Sequence, residues 1–112
     1  MRALAAAFVM LAVPAIAQDG LYYPEGYGAW DCQSVGSDGG ALEIREGWFY
    51  GVESACELTN PVAVRDMGAT LYDGVCSAEG TEYTERLMIM TAFDGAVIVV
   101  RKGFASRLLP CQ

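Results

Sequence analysis

Histidine is missing from all 112 residues of the chain, and lysine occurs once, as Lys102. Without an imidazole neither a Ser-His-Asp nor a Cys-His nucleophilic centre can be assembled, and the commonest metal ligand is gone. Nothing in the sequence sets a serine beside Lys102 for a Ser-Lys dyad. The four cysteines (Cys32, Cys56, Cys76 and Cys111) are scattered and contain no C-x-x-C pair, which argues against zinc and against a thiol-redox centre. Neither a P-loop nor a G-x-G-x-x-G phosphate cradle is present. No cofactor is expected. Positive charge is scarce too: 7 basic residues face 14 acidic ones, for a net charge of −7. That balance repels nucleic acid and anionic lipid, so neither is an expected partner; it favours a cationic protein or serves solubility.

The chain opens with Met1-Arg2, an apolar run from Ala3 to Val13, and Pro14-Ala15-Ile16-Ala17. A basic start, a short apolar stretch and a small-x-small site predict a secretory signal over residues 1–17, cleaved before Gln18. The run falls short of the roughly 20 residues a spanning helix needs, and no later segment is long enough to cross a membrane. Residues 18–112 are then expected to form one small exported β domain, periplasmic or extracellular. In such a compartment an even cysteine count predicts two disulfides. Four cysteines allow three pairings. The favoured one joins Cys56 to Cys76, closing an irregular excursion over 60–68, and Cys32 to Cys111, joining the first and last strands.

Two β-branched-rich runs, Arg86–Phe93 and Ala96–Arg101, flank Asp94-Gly95, a strong hairpin signal. A two-residue turn there pairs Phe93 with Ala96, Thr91 with Ile98 and Ile89 with Val100. It sets Met90 with Val99 and Met88 with Arg101 on the other face. Both faces are apolar, so one should line a core and the other be covered by the chain or by a partner. A second hairpin, Ala41–Arg45 with Trp48–Val52 about Glu46-Gly47, alternates cleanly and pairs Ile44 with Phe49. Its outer face sets Arg45 opposite Trp48, a cation–π pairing. Residues 18–28 read as an aromatic, glycine-rich leader, and Trp30–Gln33 as the first strand. Thr59-Asn60-Pro61 reads as a cap opening a helical turn before Gly68. Ala69–Cys76 reads as a strand bulged at Asp73-Gly74. Phe104–Cys111 reads as a last strand with Pro110 at its end. About seven short strands follow, as an all-β antiparallel meander barrel or compact sandwich.

Few residues stand out as a site. Glu79, Glu82 and Glu85 cluster in sequence, and a carboxylate-only hydrolase is the enzyme reading this leaves; a solvated strand end also accounts for them. Asp38-Gly39-Gly40 is too short for a calcium loop. Met88 and Met90 share a face and suit core filling or an adaptable contact. The candidate contact surface is Tyr22, Tyr23, Tyr27 and Trp30, because Tyr and Trp bury much area with few rotors. Gly28-Ala29-Trp30 resembles the G-x-W that opens lipocalin-like and small protease-inhibitor barrels. The resemblance covers three residues, and no other motif of those families matches. It implies a small exported barrel that binds or inhibits envelope or host enzymes. The expected function is a non-enzymatic exported binding module, such as an inhibitor of a secreted or envelope hydrolase. The alternative is a small lipocalin-like carrier of an apolar ligand.

Protein recovered from the exported fraction should have the mass of residues 18–112 less four hydrogens. A mass that includes residues 1–17 would contradict the cleavage, and the fully reduced mass would contradict the disulfides.

Overall fold

The computed structural model describes residues 19–26, 30–36 and 40–111. The proposed signal and its cleavage site, Tyr27, the Gly28-Ala29 pair and Asp38-Gly39 lie outside the described residues. Eight antiparallel strands follow one another around a closed barrel: β1 (Gly20–Pro24), β2 (Leu42–Arg45), β3 (Trp48–Gly51), β4 (Ser54–Val64), β5 (Ala69–Ala78), β6 (Thr81–Thr91), β7 (Val97–Arg101) and β8 (Phe104–Pro110). The all-β meander barrel is thus the architecture, with one strand more than the sequence suggests. Among the described residues no helix is long and apolar enough to cross a membrane.

Two strands are additional, offset by one expected strand that does not form: β4, which takes in the segment read as a helical turn, and β1, drawn from the leader that composition marks as a loop. The tyrosines of β1 suit a strand. β1 closes the barrel by pairing with β2 (Gly20 with Ile44) and with β8 (Tyr22 with Pro110). Trp30–Gln33 is not a strand. It belongs to the β1–β2 connection, where the Asp31 carboxylate accepts hydrogen bonds from the Gln33 and Ser34 amides at 2.7 and 3.0 Å. These bonds hold the Asp31 carboxyl below its ordinary pKa. Cys32 and Cys111 are joined as expected, but the bond ties this loop, not a first strand, to the residue after β8.

Both central hairpins form. In the β2–β3 turn Glu46 and Gly47 have φ of 50° and 84°, the doubly positive pattern of a type I′ turn, and Ile44 pairs with Phe49. The outer face differs in detail: Arg45 sits over the Tyr50 ring, 5.4 Å from its centroid, while Trp48 stacks on Tyr50. The β6–β7 hairpin is displaced by one residue from the sequence register. Its loop has three residues, Phe93-Asp94-Gly95, between Ala92 and Ala96, whose backbones bond at 2.8 Å. Gly95, at φ 89°, is the left-handed residue that such loops need. Met88 therefore pairs with Val100 and Ile89 with Val99. A slip of one residue moves a strand's side chains to the opposite face. Val97 and Val99 line the core, whereas Ile98 and Val100 join Met88 and Met90, half-buried, on the outer wall.

Thr59-Asn60-Pro61 opens no helix. β4 runs through it, and its register with β5 shifts by one residue between Thr59 and Val62. The bulge sits on β4, not at Asp73-Gly74 of β5. Asn60 takes φ 51°, and Pro61 has no N–H to lose from a ladder. The Thr59 hydroxyl donates to the Asp73 carbonyl at 2.6 Å, and the Asn60 amide donates to the Asp73 carboxylate at 2.9 Å.

Inside the wall lie Tyr22, Leu42, Ile44, Phe49, Tyr72, Leu87, Ile89, Val97, Val99 and Leu108, with the Cys56–Cys76 disulfide between directly paired residues of β4 and β5. Each fully buried aliphatic or aromatic side chain contributes about 1.5–3 kcal/mol. Gly74 faces inward too: a Cβ there would come within 2.9 Å of Leu87.

Tyr22 is 3% exposed, and burial, with a smaller push from Asp19, raises its phenol above the ordinary pKa of 10.0. A phenol with a raised folded-state pKa stabilises the fold fully below the unfolded value, and loses that contribution as pH rises through the folded one. Denaturant melts stepped upward through the ordinary tyrosine range should show stability falling, with a shallower fall in Tyr22→Phe. Equal slopes would mean that the phenol titrates in solvent.

Candidate functional site

The up-and-down order places the β1–β2, β3–β4, β5–β6 and β7–β8 connections at one end of the barrel, the lower end here. The β2–β3, β4–β5 and β6–β7 turns occupy the upper end. Ile44, Leu87, Val97 and Leu108 fill the space between, each no more than 1% exposed.

At the lower end a cup of about 250 Å³ opens between β2, β3, β7 and β8. Leu42, Phe49, Val99 and Leu108 wall it, Val52 and Phe104 stand at its rim, and Ser54 and Ser106 add hydroxyls. Arg101 is the one charged residue lining it. The alternation Val97, Val99, Arg101 carries this arginine inward. Its Nη1 lies 3.7 Å from Glu85 Oε2, and both side chains are 21% exposed. The guanidinium also sits 5.4 Å from the Phe49 ring centroid, a cation–π contact. Its Nε is buried and has no hydrogen-bond partner.

Glu85 faces inward opposite Gly74, with Oε2 3.8 Å from Cys76 Sγ. That sulfur is disulfide-bonded and carries no proton, so the contact is not a hydrogen bond. For the same reason Cys56, Cys76 and Glu85, though close together, offer no thiolate ligands for a metal. Glu79 and Glu82 do not join Glu85. They line a separate hollow of about 400 Å³ with Glu53, between the β3–β4 turn, the β5–β6 turn and the start of β6. None of these three exposed carboxylates forms an ion pair among the described residues. At the same end Val52, Tyr83 and Phe104 are 40%, 38% and 57% exposed. Lys102, on the β7–β8 turn, is the one cation on the described lower-end turns.

The aromatic residues marked from sequence are not assembled into one surface. Tyr22 points into the core, and Tyr23, its neighbour on β1, points the other way and is half-buried. Trp30 is half-buried in the following loop. At the upper end Phe93 is fully exposed at the tip of the β6–β7 loop. Asp94 braces that loop by accepting from the Ala96 amide at 3.1 Å and pairing with Arg107, which also bonds Glu25 at 3.3 Å. Arg107 holds the Asp94 carboxyl below its ordinary pKa. Sequence reasoning missed Arg101, Phe93 and Phe104. Gly95 was the signal available for a loop, and its place third in that loop sets the register that turns Arg101 inward.

Comparison with family models, with curated proteins and with solved structures found no match to this chain.

Arg101→Met should cost about 2–3 kcal/mol by leaving Glu85 half-buried without its cation. The double variant Glu85→Gln/Arg101→Met should recover part of that loss. Chemical denaturation of the three proteins measures both, and strictly additive losses would mean that the two residues are uncoupled.

Proposed function

We propose that the protein is a non-enzymatic exported binding module that docks a cationic protein, such as a basic secreted or envelope hydrolase that it inhibits. The observation that supports this reading is the composition of the lower end. There Glu53, Glu79 and Glu82, which form no ion pair among the described residues, share the end of the barrel with exposed Val52, Tyr83 and Phe104. Apolar and aromatic side chains supply contact area, while unneutralised charge around them steers a partner of opposite sign and fixes its orientation. The β3–β4 and β5–β6 turns at this end are short, with Cys56–Cys76 joining β4 to β5 close by, so little ordering is left for the moment of binding. The filled barrel axis favours docking at an end over carriage of an apolar ligand within.

Binding is tested with a panel of basic secreted hydrolases, beginning with a C-type lysozyme, by calorimetry and by inhibition of turnover. Affinity should fall steeply as salt rises. The triple variant Glu53→Gln/Glu79→Gln/Glu82→Gln should bind roughly tenfold more weakly at low salt, mainly through slower association. Phe104→Ala should dissociate faster. Salt-independent binding, or full affinity in the triple variant, would overturn the lower-end assignment.

A further inference from the structure

The cup around Arg101 asks for a ligand of different chemistry from the acidic turns beside it. An arginine turned into a barrel is costly unless its charge and donors are met. A guanidinium carries five N–H donors. Those of Arg101 meet one carboxylate oxygen at 3.7 Å, beyond the usual 2.7–3.2 Å of an N–H···O bond, and the face of Phe49. Most of its hydrogen-bonding capacity is therefore unspent on protein groups. The remaining lining of the cup is apolar but for Ser54 and Ser106. Among the described residues no carboxylate lines it; Glu85, on β6, is not part of the lining.

We propose that this cup is a binding site for a small monocarboxylate with a compact apolar body. The carboxylate accepts from the Arg101 Nη donors that Glu85 leaves unused, and the body lies against Phe49, Val99, Leu108 and Phe104. The planar guanidinium matches a carboxylate with two parallel donors, a fit that neither an alcohol nor an amine reproduces. Apolar walls disfavour a multiply charged anion, because its remaining charge would be desolvated without a partner. The volume of about 250 Å³ is below the roughly 300–1,000 Å³ of sites for drug-sized ligands, which limits the guest to a short-chain or single-ring acid. The same chemistry is presented by a free acid and by the C-terminal residue of a peptide. The cup shares Val52 and Phe104 with the proposed docking surface, but its recognition group, Arg101, belongs to the cup alone, and its test uses no protein partner.

The test is a ¹⁵N NMR titration of the disulfide-intact protein with hexanoate and with benzoate, against hexanol and benzyl alcohol. The acids should produce saturable shifts at Gly51, Ser54, Ser106 and the Arg101 side-chain N–H groups, with a Kd on the order of 1 mM. The alcohols should bind at least about tenfold more weakly. Arg101→Lys keeps the charge but loses the fork, and should weaken the acids by a similar factor. Glu85→Gln removes the competing carboxylate and should tighten them severalfold, which a purely structural arginine would not do. Acetyl-Gly-Phe and its amide separate the two sources. Binding of the dipeptide acid but not its amide assigns a C-terminus, and binding of the free acids alone assigns a small metabolite. Equal shifts with acid and alcohol, shifts elsewhere on the barrel, or no saturable shift with any carboxylate would overturn the proposal. The acid–alcohol comparison needs no variant, so it decides even if a substitution unfolds the protein.

Discussion

Closure of the sheet by β1 is the constraint on which the rest of the molecule depends. β1 has only five residues, and it pairs β2 on one side and β8 on the other. Without it both neighbours would become open edges, each with a row of unpaired N–H and C=O groups. Covalent and ionic ties gather around this seam. The Cys111 amide donates to the Leu21 carbonyl at 2.8 Å, Cys32 is bonded to Cys111, and Glu25, just past β1, is held by Arg107 of β8. The Cys32–Cys111 bond spans 79 residues of chain, and a bond that closes so long a loop removes the most freedom from the unfolded state in the chain-entropy view. A strand too short to hold by its own ladder is thereby kept in place.

Once the wall is closed, alternation decides what goes inside, and the layers differ in character. The middle is filled with aliphatic and aromatic side chains. Towards the lower end the filling becomes Glu85, the Cys56–Cys76 disulfide and Arg101. An ion pair is tolerable there because both members keep about a fifth of their surface in water, which lowers the desolvation cost that full burial would impose. The upper end is managed differently. Its charged pair, Asp94 with Arg107, sits outside and Asp94 braces backbone, so Phe93 projects from a loop held in one shape.

The legible parts of this fold were those whose signals are local. Glu46-Gly47 between alternating runs fixed the β2–β3 register, and cysteine count with spacing pointed to both disulfides. The failures were also physical. Asp94-Gly95 suits two-residue and three-residue loops alike, with Gly95 in the left-handed region in either, so the dipeptide did not choose between the two registers. The resulting slip set Arg101 on a face with Met88 and Met90, apart from Leu87 and Ile89, and so hid the cup. β1 was missed because its glycine, tyrosines and proline lack the usual apolar alternation; what makes it a strand is the gap between β2 and β8. Thr59-Asn60-Pro61 carries helix-start residues, yet a positive-φ asparagine and a proline without an N–H serve a bulge equally well. The paired strand β5 decided between them.

The single lysine gives the lower end an unusual chemical address. Lys102 is exposed on the β7–β8 turn, two residues from Phe104 at the rim of the cup. Amine-directed dyes and cross-linkers will find one ε-amino group on the whole chain besides the terminal amine. A fluorophore attached there is a native reporter at the mouth of the barrel, with no engineered cysteine to disturb the two disulfides.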